Sequence, residues 1–179
     1  MSKSSLHEQE ISSSNIHDQL DELLDYVTNA AGKEQIHIAE KEILKHVLQI
    51  GLASLQKFVK ESGSGYEVDN LPVSDKKKAL RYKKNPNSPY LSIFGEISIE
   101  RAGYHDTDKK AYYYPLDELL NLPEKKYSYL LTDWLLLRST DSDYREAVDV
   151  LNKFFNLDLH HSVGQHLIED VSRTVQDYY

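Results

Sequence analysis

The strongest constraint on this chain is a change of period. The stretch from residue 89 to residue 127 holds an alternating run of apolar residues, whereas on both sides they recur every three or four positions. Leu91, Ile93, Ile97 and Ile99 share one parity, and Ser92, Glu96, Ser98 and Glu100 share the other. That is the pattern of a strand with one buried face. Gly95 interrupts it and marks a bulge or a tight bend. Arg101 and Tyr104 finish the strand, residues 106–110 form a polar turn, and residues 111–114 return as a short strand stopped by Pro115. The run Asn85-Pro86-Asn87-Ser88-Pro89 is a turn signal, and it closes a hairpin between residues 79–84 and the strand that follows. The expectation is a small antiparallel sheet of three strands, marginal unless it packs on helices.

Helices supply that support. Ile16, Leu20, Leu23, Leu24 and Val27 fall at helical spacing, with Asn15 as N-cap, Asp18 in the first turn and Gly32 as the C-terminal stop. A longer helix is predicted over residues 35–62. Ile36, Ala39, Ile43, Val47, Ile50 and Ser54 form one row, and Leu44, Leu48, Leu52, Leu55 and Val59 an adjacent one. The stripe is wider than a lone surface helix needs. It packs on the first helix, on the later part of the chain, or on another copy. Gly63 and Gly65 end this helix and mark a boundary. After the sheet, residues 116–120 read as one helical turn. Ser128 caps a helix over residues 129–138, and Asp143 with Glu146 makes a capping-box start for a helix over residues 144–155. Ser162 and Gln165 form a second capping box that opens the last helix. The predicted fold class is α+β: two N-terminal helices, a small three-stranded antiparallel sheet, and a helical C-terminal part with a helix-turn-helix-like pair. The predicted divisions are a disordered leader at 1–14, a helical hairpin at 15–63, the sheet at 74–115 and the helical part at 116–179.

Composition removes several classes. No apolar run approaches the ~18 residues that span a bilayer, and the N-terminus lacks the apolar core of a signal peptide. A cytoplasmic protein with no membrane partner is expected. The chain has no cysteine, which removes disulfides and thiolate zinc sites. It holds no Gly-rich phosphate loop and no nucleophile–base pair, so no catalytic residue, metal or cofactor is predicted. Net charge is −8, from 21 basic and 29 acidic residues, which argues against broad binding to nucleic acid. The distribution is uneven. Residues 71–90 carry six basic residues (Lys76, Lys77, Lys78, Arg81, Lys83 and Lys84) against one acid, Asp75, with Tyr82 among them. Cations interleaved with an aromatic grip phosphates and stack on bases. The plainer reading is a solvated turn and strand that balances nearby acids.

The second candidate is the order helix, short turn, capped helix over residues 144–179. In a helix-turn-helix the first residues of the second helix reach base edges in the major groove. Those positions hold His160, His161, Ser162, Gln165 and His166. Glu169, Asp170 and Asp177 outnumber Arg173 along the rest of that helix, so an ordinary antiparallel helix pair is the competing reading. His166 and Asp170 lie one turn apart, but no third ligand stands at a recognised metal spacing.

One resemblance joins these parts. Phe94-Gly95-Glu96, Arg101-x-x-Tyr104, Tyr114-Pro115-Leu116-Asp117-Glu118-x-Leu120-x-Leu122-Pro123, Tyr127-Ser128-x-x-Leu131 and Tyr144-x-x-Ala147-x-x-x-Leu151 follow in order. A final helix ending Asp177-Tyr178-Tyr179 completes the series. In order and spacing this resembles the N-terminal half of bacterial insertion-sequence transposases of the ISKra type, over about residues 36–179. The resemblance implies a region that recognises element ends in DNA transposition and assembles the complex. It also implies a separate RNase-H-like domain that holds the catalytic acids, so none is assigned here. Relatives carry a Cys-x-x-Cys between the Arg-x-x-Tyr and Pro-Leu-Asp-Glu elements; residues 106–110 stand there in this chain, and zinc is not implied. The expected DNA contacts are Lys76, Lys77, Lys78, Arg81, Tyr82, Lys83, Lys84, His160, His161 and Gln165. The implied partners are element-end DNA and either a second copy or a full-length transposase. A different expectation also stands: a self-association or regulatory module that acts on a full transposase without binding DNA, or an inert transposase remnant.

Overall fold

The computed structural model describes residues 16–66, 81–83, 86–106 and 111–167. It divides into two compact units, Met1–Leu55 and Gln56–Tyr179. The fold is mixed α+β.

The first unit holds α1 (Ile16–Ala30) and most of α2 (Ile36–Glu61). α1 stops where expected. Gly32 takes φ +72°, and the N–H groups of Lys33 and Glu34 both donate to the carbonyl of Ala30. This left-handed turn costs glycine nothing. It reverses the chain so that the Tyr26 ring stacks on His46, with centroids 5.8 Å apart. The Tyr26 hydroxyl donates to Glu34 at 2.8 Å, and that bond pushes its pKa up to about 12. Packing in this unit is thin. Among its described apolar residues only Ala30 is buried.

α2 ends at Glu61, followed by Gly63 and Gly65 at φ +73°. Gly65 is required by space as well as by φ, because a Cβ there would lie 3.0 Å from the Leu116 nitrogen.

The second unit contains β1 (Arg81–Lys83), β2 (Asn87–Ser92), β3 (Gly95–Glu100), β4 (Gly103–Asp106) and β5 (Ala111–Tyr113). The helices α3 (Pro115–Leu119), α4 (Tyr129–Ser139) and α5 (Tyr144–Phe155) follow, then helical turns over 161–167, here α6. Two expectations about the strands are corrected. The alternating run from Leu91 to Glu100 is not one strand but a hairpin, β2–β3, turning at Ile93 and Phe94. Gly95 adopts φ +130°, which only glycine adopts without strain, and the Ser92 hydroxyl accepts the Phe94 N–H and donates to the Gly95 carbonyl. Across this bend Leu91 pairs with Glu96 and Tyr90 with Ile97. Leu91 and Ile97 therefore share a parity in sequence but not a face. Second, the 81–83 segment does not pair with the strand that follows it. β2 finds a complement two residues beyond its own end, so β1 pairs instead with β4, at Arg81↔His105, Tyr82↔Tyr104 and Lys83↔Gly103. The result is a three-stranded antiparallel sheet, β1-β4-β5, with the β2–β3 hairpin inserted between its first two strands.

The helical part is joined to the hairpin at Leu91. Its N–H donates to the Lys126 carbonyl and its carbonyl accepts the Ser128 N–H. Ser128 caps α4 as predicted, its hydroxyl accepting the Leu131 N–H at 3.0 Å. Leu131 and Leu135 of α4, Ala147, Val148 and Leu151 of α5, and Leu159 and Leu167 form the buried core. Leu91, Ile93, Tyr127, Phe155, Leu157 and Val163 pack against it. Two capping boxes are also corrected. Asp143 occupies the N-cap of α5 without a side-chain bond, and Glu146, which would complete the box, reaches instead to Arg138 of α4 at 3.3 Å. α6 starts before Ser162. His160 caps it, its Nδ1 accepting the Ser162 N–H at 3.2 Å.

The joint between α5 and α6 is tightly specified. Asn156 ends α5 in the left-handed conformation, φ 50° and ψ 44°. The Asn152 side chain then brackets Leu159, donating to its carbonyl at 2.9 Å and accepting its N–H at 2.8 Å. Gly164 lets the helices touch, because a Cβ there would stand 2.6 Å from Val148 Cγ2. The expected leader at 1–14, the Asn15 cap and the final helix beyond 167 lie outside the described residues. No helix among the described residues is long and apolar enough to cross a membrane.

Two outcomes follow from these contacts. Gly164→Ala should lower unfolding stability by about 1–3 kcal/mol in chemical denaturation, because fully buried Val148 has no room to yield. Tyr26 has a folded pKa above its unfolded value of ~10, so its contribution is present below that pH and disappears as pH rises through about 12. In ultraviolet titration, compared against Tyr26→Phe, the Tyr26 transition should move down in Glu34→Gln.

Candidate nucleic-acid interface

The β1-β4-β5 sheet has two unlike faces, set by its register. Residues directly opposite in antiparallel strands share a face. One cross-strand row is Tyr82, Tyr104 and Tyr113. This is the inner face at its centre, since Tyr104 is 3% exposed. The Tyr113 hydroxyl donates to Glu118 Oε2 at 3.0 Å, and burial, followed by that bond and the Glu118 charge, pushes its pKa up. It stays a proton donor and serves as scaffold.

The other row is Arg81, His105 and Tyr112, with Lys83 and Gly103 beside it. Tyr112 is 53% exposed. His105 meets it edge-on at 5.0 Å, and Tyr112 and Tyr114 lie nearly parallel, 18° apart with centroids at 6.3 Å. The Arg101 guanidinium covers Tyr114 at 4.2 Å and pairs with Asp117. Gly103 makes room for the Tyr114 ring, since a Cβ there would stand 2.9 Å from its Cε1. The outer face therefore carries three aromatic rings in series, beside two positions held by cations on the edge strand β1. Rings at such spacing offer platforms for bases, and neighbouring cations suit the phosphates between them.

Of the predicted contacts, Lys76, Lys77, Lys78 and Lys84 lie outside the described residues. Arg81, Tyr82 and Lys83 form β1. Arg81 and Lys83 stand in register with the outer face, and Tyr82 stands in register with the inner tyrosine row. His160, His161 and Gln165 come together at the start of α6. His160 is engaged as the helix cap. His161 Nε2 lies 2.8 Å from Asp149 Oδ1. An open groove of about 460 Å³ adjoins this turn, and Glu96, Lys126, Asp158 and His160 line it with mixed charge. Acids beside the helix start make it a poorer polyanion site than the sheet.

His105, Tyr112, Tyr114 and Arg101 were not singled out as contacts from the sequence. The signal was the pair of aromatic-rich runs on either side of residues 106–111, which only the β4–β5 register turns into one face. Among the described residues, no group of three His, Asp or Glu side chains converges as metal ligands do. The chain matches no protein-family model, no curated protein and no solved structure.

The two faces should respond differently to truncation. Tyr112→Ala should cost about 1 kcal/mol or less in chemical denaturation, because the ring is solvated. Tyr104→Ala should cost about 3 kcal/mol or more, because that ring is buried.

Proposed function

We propose that this chain is the N-terminal DNA-binding and assembly region of a DDE-type insertion-sequence transposase of the ISKra type. It acts in the cytoplasm, recognises element ends and contributes no catalytic residue itself. The outer face of the β1-β4-β5 sheet makes the main contact, and the start of α6 assists.

The observation that carries this reading is the cross-strand row Arg81, His105, Tyr112, with Lys83 alongside. It joins the only strongly basic stretch of an acidic chain to a series of aromatic rings. The family motifs agree with it in place. Arg101, Tyr104, Tyr114 and Asp117, on which the resemblance rests, are the residues that hold the sheet together and fasten it to α3.

The test is fluorescence anisotropy of the full chain with labelled duplexes of the terminal repeats that flank its gene, across a salt series. The expected result is preference for those repeats over random duplex. Arg81→Glu with Lys83→Glu should reduce the salt slope by about two, one for each phosphate left without its cation. Tyr112→Ala should weaken binding by roughly 5- to 100-fold, as the loss of one stacked base requires. Absence of any preference at moderate salt removes end recognition from the proposal. A second reading, a regulatory module that engages the full transposase without DNA, is favoured by the exposed apolar rows of α1 and α2. It expects the same substitutions to leave the anisotropy unchanged.

A further inference from the structure

We infer that the α1–α2 hairpin is a pairing surface for a second copy of this chain, and that two hairpins close face to face into a four-helix bundle. The inference does not depend on DNA binding.

It starts from what the first unit leaves uncovered. Leu20, Leu24 and Val27 of α1 are 43%, 54% and 43% exposed. Ile43, Leu44 and Val47 of α2 are 36%, 45% and 48% exposed, and Ile36 at its start is 86% exposed. With Ala30 as the one buried apolar residue described, this unit has little core to stabilise it alone.

These residues lie on one side of the hairpin, which follows from helical phase. On α1 the half-buried or buried positions Gln19, Leu23, Tyr26 and Ala30 mark the side that meets α2. On α2 the equivalent positions are Ala39, Glu42, His46 and Ile50. At ~100° per residue the exposed row of each helix lies roughly 90° round from its contact side, in the same rotational sense. The helices run in opposite directions, so equal offsets in the same sense point both rows to the same face. An apolar face two helices wide is the half of a four-helix bundle.

Charge selects the occupant and its orientation. α1 carries Asp18, Asp21, Glu22 and Asp25 with no lysine or arginine. Asp18, Asp21 and Asp25 fall on the outer flank of its apolar row, while Lys41 and Lys45 fall on the outer flank of the α2 row. Lys45 also pairs with Glu42 at 3.4 Å on its own helix. A two-fold axis running along the helices stacks each α1 on the other copy's α2, acid flank against lysine flank. An axis across the helices stacks α1 on α1, acid against acid. The first arrangement is therefore the one inferred, an isologous pairing in which both contacts are the same. Glu40 stands within the α2 row and is exposed, which weakens the face locally.

The test is sedimentation equilibrium of the full chain. The wild type should have twice the 20.7 kDa of one chain. Leu24→Glu with Val47→Glu should give a monomer of unchanged helical circular dichroism, because both side chains are solvated in the single copy. Glu40→Leu should tighten the dimer. A charge swap separates pairing from folding if the apolar variant unfolds. Asp21→Lys with Asp25→Lys in one preparation, and Lys41→Glu with Lys45→Glu in another, should each be monomeric alone and should form a mixed dimer when combined. A wild-type monomer at all concentrations overturns the inference. So does a dimer that survives the Leu24 and Val47 substitutions, or swapped chains that show no preference for each other.

Discussion

The second unit depends on one side chain. Arg101 occupies the two-residue link between β3 and β4, pairs with Asp117 in the first turn of α3, and lies over the Tyr114 ring. Two segments apart in sequence meet there: the exit of the β2–β3 hairpin and the stretch from Tyr114 to Asp117 that leads from β5 into α3. The neighbouring Ala102 is fully buried, and its N–H donates to the Ser64 carbonyl at 2.7 Å, which ties in the chain beyond α2. A guanidinium suits this place because it is planar, stays charged and stacks on a ring while pairing with a carboxylate. A lysine ammonium would satisfy Asp117 and leave Tyr114 uncovered. With the Arg101 side chain 21% exposed, the pair is sheltered enough that removing either partner strands the other in a poorly solvated site.

The helices were legible because their signals are local. The apolar periodicity over 36–61, 129–139 and 144–155 sits within each element, and Ser128 announces its cap in sequence. The sheet was legible in kind and not in pairing. Leu91, Ile93, Ile97 and Ile99 keep one parity through a turn, and parity is a property of the chain, whereas a face is a property of the register. Only the Ser92 hydroxyl and the φ of Gly95 reveal that the direction reverses. Capping boxes failed for a similar reason. Their spacing was present, but Arg138 competed for Glu146, and His160 reached the first amides of α6 before Ser162.

The candidate interface was half legible. Cations concentrated at 76–84 stand out in an acidic chain, and Arg81 and Lys83 are among them. The rings were not, because His105 lies 24 positions beyond Arg81 and Tyr112 a further seven. Nothing in a linear pattern unites them until β4 pairs on both of its edges. The same three-tyrosine run places Tyr112 and Tyr114 outside and Tyr113 inside, so composition alone cannot separate contact from scaffold. Gly103 is the clearest retrospective marker, because an empty position opposite a tyrosine is what allows the ring to lie flat on the sheet.

The net charge of −8 does not decide against a polyanion partner. Exposed charges act over about 8 Å at physiological ionic strength, so a phosphate at β1 responds to Arg81 and Lys83 more than to acids on distant helices. Among the described residues the face offers two cation positions, at Arg81 and Lys83, and each phosphate neutralised there would release its counterions. A second copy changes that arithmetic. Once one sheet is engaged, a linked second sheet meets its target at the effective concentration set by the linkage, and affinity rises without any new kind of contact. The weakly packed hairpin of the first unit and the ringed face of the second are thus compatible with one scheme, in which pairing would add strength to a contact made by the sheet.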